Sequence, residues 1–172
     1  MEWTREHLTP CWDEQYKDLK YTKQPFNGED EIQRWRMNGY GMDEKYFTGE
    51  MCAFGEKHPT WSHVILGWIE HKFKLRDVGA CYYRMETGTI LPEHSDHYKV
   101  YRNKFNCQLN QVKRVLVMLE DWRSGHYLEM DGEPITDWEA GDCFQWTGGT
   151  KHMAANIGPG YRYTLQVTGW SK

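Results

Sequence analysis

Several features that define other protein classes are missing from this chain of 172 residues. It contains no C-x-x-C motif, and its cysteines are odd in number and far apart, at positions 11, 52, 81, 107 and 143. That pattern is typical of free thiols in a reducing compartment, and it argues against a disulfide framework or a zinc finger. The chain also has no internal repeat, low-complexity tract or linker, so we predict a single domain.

Runs of one charge and long apolar runs are absent as well. The formal net charge is −4, and the basic residues are scattered among acidic ones, so binding to nucleic acid through its phosphates is not expected. The longest apolar stretches are far shorter than the roughly 20 residues that cross a bilayer, and the charged residues 1–6 do not resemble a signal peptide. We therefore expect a cytoplasmic protein with no membrane partner.

Aromatic residues, in contrast, are abundant: they make up 15% of the chain and include nine Trp and eleven Tyr. Large aromatic side chains fill cores and line concave pockets for small ligands. A chain of this length also buries roughly two-thirds of its surface on folding, so it can form a stable core without disulfide bonds. The composition therefore predicts a globular domain.

The pattern along the chain changes near residue 76. Residues 1–76 are predicted to form a helical and irregular support region, with helices at about 30–37 and 61–73. Residues 77–172 read as many short strands divided by turns, predicted at 80–85, 113–120, 126–130, 143–146, 152–156 and 161–168. We expect one catalytic domain, 1–172, of mainly β (α+β) class, in which helices brace a β-sandwich or jelly roll.

Two further segments lie between the predicted strands at 80–85 and 113–120. Residues 88–92 contain Gly88 and Pro92 and read as a turn region. Residues 97–111 are polar and read as irregular; they could cover a substrate or simply form a mobile surface loop.

His94, Asp96 and His152 form a candidate metal site. Residues two apart in an extended segment point to the same side, so His94 and Asp96 can bind one ion together. His152, at the start of a predicted strand, can complete a face of two histidines and one carboxylate. This face leaves three octahedral positions open and is typical of non-haem Fe(II) oxygenases.

Arg162 and Thr164 also share one face of their predicted strand. A guanidinium and a neighbouring hydroxyl together form a good receptor for a carboxylate. A dicarboxylate that chelates the metal at one end would need such a receptor at its other end. Taken singly, each motif has an ordinary alternative: a surface turn, a structural histidine or an exposed strand edge. Their combination is what points to a site.

The chain resembles the 2-oxoglutarate/Fe(II)-dependent dioxygenase superfamily, especially its prolyl-hydroxylase and aspartyl/asparaginyl-hydroxylase-like branches. The resemblance covers about residues 79–170 and rests on the motifs above and on four stretches of sequence. These are VLVMLEDW at 115–122, GHYLE at 125–129, WEAGD at 138–142 and GPGYRYTL at 158–165.

The resemblance implies a cupin-like double-stranded β-helix in which His94, Asp96 and His152 bind Fe(II). It implies that Arg162 and Thr164 bind the distal carboxylate of 2-oxoglutarate, assisted by a tyrosine from the preceding strand. Tyr82 and Tyr83 are both candidates and face opposite ways; Tyr83 is preferred because it shares the parity of Met85.

The implied reaction hydroxylates an unactivated C–H bond with 2-oxoglutarate and O2 as co-substrates. Asp96 favours hydroxylation, because family members that halogenate have a small residue there. The expected substrate is an amino-acid residue in a peptide or protein, or a free amino acid. Two other residues stay open: Arg114 could bind a carboxylate or form a rim ion pair, and His126 could contact substrate or face solvent.

Two alternative functions account for fewer of the residues singled out above. A zinc-dependent hydrolase or isomerase could use the same three ligands with an activated water, but Arg162 and Thr164 would then have no role. A non-catalytic jelly-roll module could bind a ligand in the mouth of the barrel, but the three metal ligands would then be unexplained.

Overall fold

A computed structural model describes residues 3–26, 28–55 and 57–172. In these residues, strands β1 to β11 span Trp3–His7, Thr22–Lys23, Glu50–Ala53, Arg76–Met85, Thr89–His94, Val112–Met118, His126–Met130, Glu133–Ile135, Asp142–Thr147, His152–Asn156 and Arg162–Trp170. Helices α1 to α3 span Glu29–Met37, Ser62–Phe73 and Lys99–Phe105. The six predicted strands and the two predicted helices are all present, with shifts of a few residues at their ends.

The strands form two antiparallel sheets. The large sheet has the order β1-β9-β6-β11-β4-β3-β2, and the small sheet has the order β5-β10-β7-β8. Of the eight strands from β4 onward, each sheet takes four, and the chain passes repeatedly from one sheet to the other. Two facing sheets built in this way form a jelly roll. The predicted double-stranded β-helix is therefore confirmed.

The region before residue 77 contributes more than helices to this fold. Strand β1 pairs with β9 along one edge of the large sheet, and β3 pairs with β4 near the other. The sequence predicted a helical and irregular support region at 1–76 and did not predict these strands. Strand β1 was missed because its sequence, WTREH, is mostly exposed and lacks a period-2 apolar pattern.

Alternation along the strands of the large sheet creates two separate apolar layers. On the outer face, Tyr82 and Leu165 pack with Ile65 and Ile69 of α2. On the inner face, side chains that include Tyr83, Met85, Leu116, Leu128 and Trp146 fill the space between the sheets. Burying one large apolar side chain stabilises a fold by about 1.5–3 kcal/mol, so both layers matter for stability. Adjacent residues such as Tyr82 and Tyr83 consequently serve different layers.

Two predicted irregular segments are regular in the structure. Residues 89–92, expected within a turn, belong to strand β5, which spans Thr89–His94, and the turn is confined to the residues before Thr89. The segment 97–111, expected to be irregular, contains α3 and a 3-10 turn at Leu109–Gln111. Among the described helices, none has the length and apolarity that a membrane crossing requires.

Candidate metal centre

His94 and His152 lie side by side on neighbouring strands. His94 ends β5, His152 begins β10, and the two residues are register partners in the antiparallel ladder. Their rings are 4.3 Å apart between centroids. Asp96 follows β5, and one potential ligand atom from each of the three residues lies within 4.8 Å of the other two. These three residues could therefore hold a metal ion.

Backbone contacts fix both histidines in the form that binds metals. Nδ1 of His94 lies 2.8 Å from the carbonyl of Pro92, and Nδ1 of His152 lies 3.0 Å from the carbonyl of Thr150. A carbonyl oxygen accepts a hydrogen bond, so each Nδ1 carries a proton and Nε2 is the nitrogen left to bind a metal. Both Nε2 atoms lie 3.9 Å from the carboxylate of Asp96. Burial, with help from His94, lowers the pKa of His152 to about 4, which keeps this ring neutral.

Asp96 is held as an anion by two neighbouring side chains. The hydroxyl of Tyr98 donates a 2.8 Å hydrogen bond to Oδ2, and Nη2 of Arg114 lies 3.6 Å from the same oxygen. Burial alone would raise the pKa of Asp96, but Arg114, the two histidines and Tyr98 outweigh it and lower the pKa to about 2. A carboxylate with two neutral imidazoles is a ligand set that suits a transition metal.

Arg162 lies in the same cavity and has no counter-ion among the described residues. It is 4% exposed, and its Nε has no hydrogen-bond partner within the described residues. Its Nη1 lies 3.2 Å from the sulfur of Met85, and its Cζ lies 5.2 Å from the centre of the Trp138 ring. Burial lowers the pKa of Arg162 to about 10, so the group is still charged at neutral pH. A buried cation held only by soft neutral neighbours is costly unless a ligand pairs with it.

Tyr83 and Thr164 flank this guanidinium. They are direct partners across β4 and β11, and both line the cavity, which has a volume of about 150 Å³. The Tyr83 hydroxyl accepts a 2.6 Å hydrogen bond from the Gly49 backbone, which fixes the ring. Tyr82 faces the other way and makes a 2.5 Å hydrogen bond with Ser62 of α2. The structure thus places Tyr83, and not Tyr82, beside Arg162.

All six predicted site residues line this one cavity: Tyr83, His94, Asp96, His152, Arg162 and Thr164. Sequence reasoning missed Gln166, Phe26 and Trp146, which also line it. The spacing Arg162, Thr164, Gln166 could have revealed Gln166, because residues at steps of two share one face of a strand. Phe26 comes from a distant loop and had no local signal; its ring lies 5.7 Å from that of His94.

Arg114 and His126 are both placed by the structure. Arg114 lines the cavity wall and pairs with Asp96, so it lies deeper than the rim position considered from sequence. His126 is 3% exposed and does not face solvent. Its ring stacks on Trp138, and its Nε2 has no hydrogen-bond partner in the described part of the chain.

Comparison with known proteins gives a fold but no family. No protein-family model and no curated protein matches the chain. Among solved structures, a prolyl-4-hydroxylase from Pseudomonas putida matches with a TM-score of 0.62 at 17% identity, over 99% of this chain and 93% of that one. The fold is a cupin-like double-stranded β-helix.

Two further solved structures match with lower TM-scores. A cupin protein from Bacteroides fragilis matches with a TM-score of 0.40 at 15% identity, over 60% of this chain and 74% of that one. A predicted oxalate decarboxylase from Thermotoga maritima matches with a TM-score of 0.43 at 14% identity, over 72% of this chain and 81% of that one.

Proposed function

We propose that this protein is a 2-oxoglutarate- and Fe(II)-dependent oxygenase that hydroxylates an unactivated C–H bond. The substrate class is an amino-acid residue in a peptide or protein, or a free amino acid. The likeness of the fold to a prolyl-4-hydroxylase is in keeping with this proposal. The chemistry of the cavity carries it.

The donor set fits Fe(II). Nε2 of His94, Nε2 of His152 and the carboxylate of Asp96 give two nitrogen ligands and one oxygen ligand, and three of six octahedral positions stay open. When bound, Fe(II) and 2-oxoglutarate would supply the electrons that reduce O2, and the reduced oxygen would then oxidise the C–H bond. The Pro92 and Thr150 carbonyls keep both imidazoles oriented, and Tyr98 and Arg114 keep the carboxylate ionised and aimed.

The single observation that carries the proposal is the unpaired Arg162 in the cavity that also contains the three metal ligands. 2-Oxoglutarate has a metal-chelating group at one end and a carboxylate at the other. Arg162 would bind that distal carboxylate, with Thr164 and Tyr83 adding hydroxyl contacts. The ligand would supply the counter-charge that the protein itself does not provide.

The rest of the lining excludes water and shapes the space. Leu116, Leu128 and Trp146 contribute apolar surface to the lining of the same cavity. A dry, apolar wall strengthens the electrostatic contacts inside the cavity. A zinc hydrolase would use the three ligands but would leave Arg162 buried and unpaired, and a simple binding module would leave the three metal ligands unexplained.

Calorimetric titration of 2-oxoglutarate into the anaerobic Fe(II)-loaded protein tests the proposal. Replacing Arg162 by Gln removes the charge but keeps a polar group, and we expect affinity to fall roughly tenfold or more. Arg123→Gln is the matched control, since Arg123 is a half-exposed arginine whose ion-pair partner is Glu120. Equal affinity in wild type and Arg162→Gln, or no binding to wild type, would contradict the proposal.

A further inference from the structure

A second cleft adjoins the main cavity at Arg114 and Gln166. These two residues line both the main cavity and this cleft, which has a volume of about 240 Å³. Its other walls come from β4, α3 and the last part of β11, and comprise Gly79, Ala80, Cys81, Tyr98, Tyr101 and Thr168. Gly79 and Ala80 have little or no side chain, which leaves the space open.

Strand β11 links the two spaces. Its residues Arg162, Thr164, Gln166 and Thr168 recur at steps of two and point to the same side of the sheet. The first three line the main cavity, and the last two line the cleft. A ligand in the cleft would therefore lie at the opposite end of this row from the group that binds Arg162.

Arg114 has unused hydrogen-bonding capacity at this junction. In the described residues its only hydrogen bond runs from Nε to the Tyr98 hydroxyl, at 3.2 Å. Its Nη2 lies 3.6 Å from Asp96, beyond hydrogen-bond distance. Guanidinium has five N–H donors, so most of them are free to face a ligand. Gln166 and Thr168 add an amide and a hydroxyl beside them.

The buried charges do not balance without another anion. Apart from the neutral His152 and the metal-binding His94, the charged residues that line the two spaces are Asp96, Arg114 and Arg162. A divalent metal adds two positive charges, and 2-oxoglutarate adds two negative ones. One positive charge is then left over, at Arg114, once Asp96 is committed to the metal. The side chain of Arg114 is only 17% exposed, and an excess positive charge at a mostly buried guanidinium favours binding of a monoanion there.

We propose that the substrate carries a free carboxylate, which Arg114 binds with help from Gln166 and Thr168, and that the substrate is a small molecule of net charge −1, of the acidic free amino-acid type. This inference rests on the proposed function and narrows its substrate class. The carboxylate occupies the cleft side of Arg114, and the carbon chain extends past Gln166 toward the metal. A residue inside a peptide has no free α-carboxylate, so a peptide residue other than Asp or Glu lacks this contact.

Titration with a minimal anion tests the assignment without requiring turnover. The probe is acetate, and neutral acetamide, which has a similar shape, is the matched control. Binding of each is measured by calorimetry on protein loaded with Zn(II) and 2-oxoglutarate. Zinc replaces iron because it does not activate O2. The variants are Arg114→Gln and Gln166→Leu, with Arg36→Gln as the control, since Arg36 is an exposed arginine on α1. Metal content and 2-oxoglutarate affinity are measured first for each variant.

We expect wild type and Arg36→Gln to bind acetate saturably and acetamide not at all. Arg114→Gln should weaken acetate binding roughly tenfold or more, and Gln166→Leu should weaken it several-fold. The Gln166→Leu variant leaves Arg114 and its contact with Asp96 in place. It therefore remains informative if Arg114→Gln loses metal. Equal binding of acetate and acetamide, or acetate binding that is the same in Gln166→Leu as in wild type, would overturn the assignment. Failure of 2-oxoglutarate to bind would instead overturn the proposed function.

Discussion

Tyr98 donates a 2.8 Å hydrogen bond to Asp96, the residue two positions before it in the chain. Tyr98 has a left-handed backbone, with φ of 48°, which is uncommon for a residue with a bulky side chain. This conformation, directly before α3, turns the hydroxyl back toward the candidate metal ligand. Tyr98 also accepts a hydrogen bond from Arg114, so one hydroxyl joins the two groups that control the carboxylate.

Removing that hydroxyl should weaken metal binding. In Tyr98→Phe we expect affinity for Fe(II), measured anaerobically by titration against a chelating dye, to fall roughly tenfold, as is usual when a group that orients a ligand is lost. Tyr101→Phe is the matched control for metal binding, because the Tyr101 hydroxyl contacts the backbone of Arg76 and Asp77 and not a metal ligand. Unchanged affinity in Tyr98→Phe would show that Asp96 needs no such support.

Loss of a histidine ligand should have a larger effect. His152→Ala removes one of two imidazole ligands, so we expect a loss of Fe(II) affinity beyond the roughly 10- to 100-fold that outer contacts produce. His97→Ala provides the comparison, since His97 is exposed and lies beside the site without belonging to the metal-binding group. The same titration measures both. If the two variants bound Fe(II) equally well, the assignment of His152 would be wrong.

Gly49 is required by the close approach of two strands. A Cβ at this position would lie 2.2 Å from the Arg84 carbonyl and 2.9 Å from the Tyr83 hydroxyl. Gly49→Ala should therefore lower the free energy of unfolding by about 1–3 kcal/mol and displace Tyr83, weakening 2-oxoglutarate binding. Urea unfolding measures the change in the free energy of unfolding. Gly55→Ala, where a Cβ meets open space, should behave like wild type; equal stability of both variants would refute the steric argument.

His126 should make the metal-free protein less stable in mild acid. Burial, with smaller effects from Arg162 and Arg123, lowers its pKa from 6.5 to about 4. Between these values the unfolded chain binds a proton and the folded chain does not, so stability falls as pH decreases through this window. Urea midpoints at several pH values should decline less steeply in His126→Gln than in wild type or in His71→Gln, a variant of an exposed histidine. Identical slopes would contradict this account.

The sequence was informative wherever strand alternation controls the outcome. The step of two between Arg162 and Thr164 predicted a shared face, and the parity of Tyr83 with Met85 predicted which tyrosine faces inward. Both expectations agree with the register of β4 and β11. Period-2 patterns are local, so they can be read without knowing the fold.

Features that depend on neighbouring elements could not be read in this way. Strand β5 was interpreted as part of a turn because it contains Pro92, which has no backbone N–H. β5 is an edge strand, and edge strands tolerate proline. Helix α3 was missed because its sequence, KVYRNKF, lacks an N-cap signal and has no buried residue. Phe26 reaches the site only through the tertiary fold.

The most direct test of the central claim is an anaerobic titration of the protein with Fe(II) and 2-oxoglutarate, followed by visible absorption spectroscopy. The account predicts a metal-to-ligand charge-transfer band that needs both components. The band should be lost in His152→Ala and should require far more 2-oxoglutarate in Arg162→Gln, with Arg123→Gln behaving like wild type. Absence of the band in wild-type protein at saturating Fe(II) and 2-oxoglutarate would contradict the assignment of this cavity to an oxygenase.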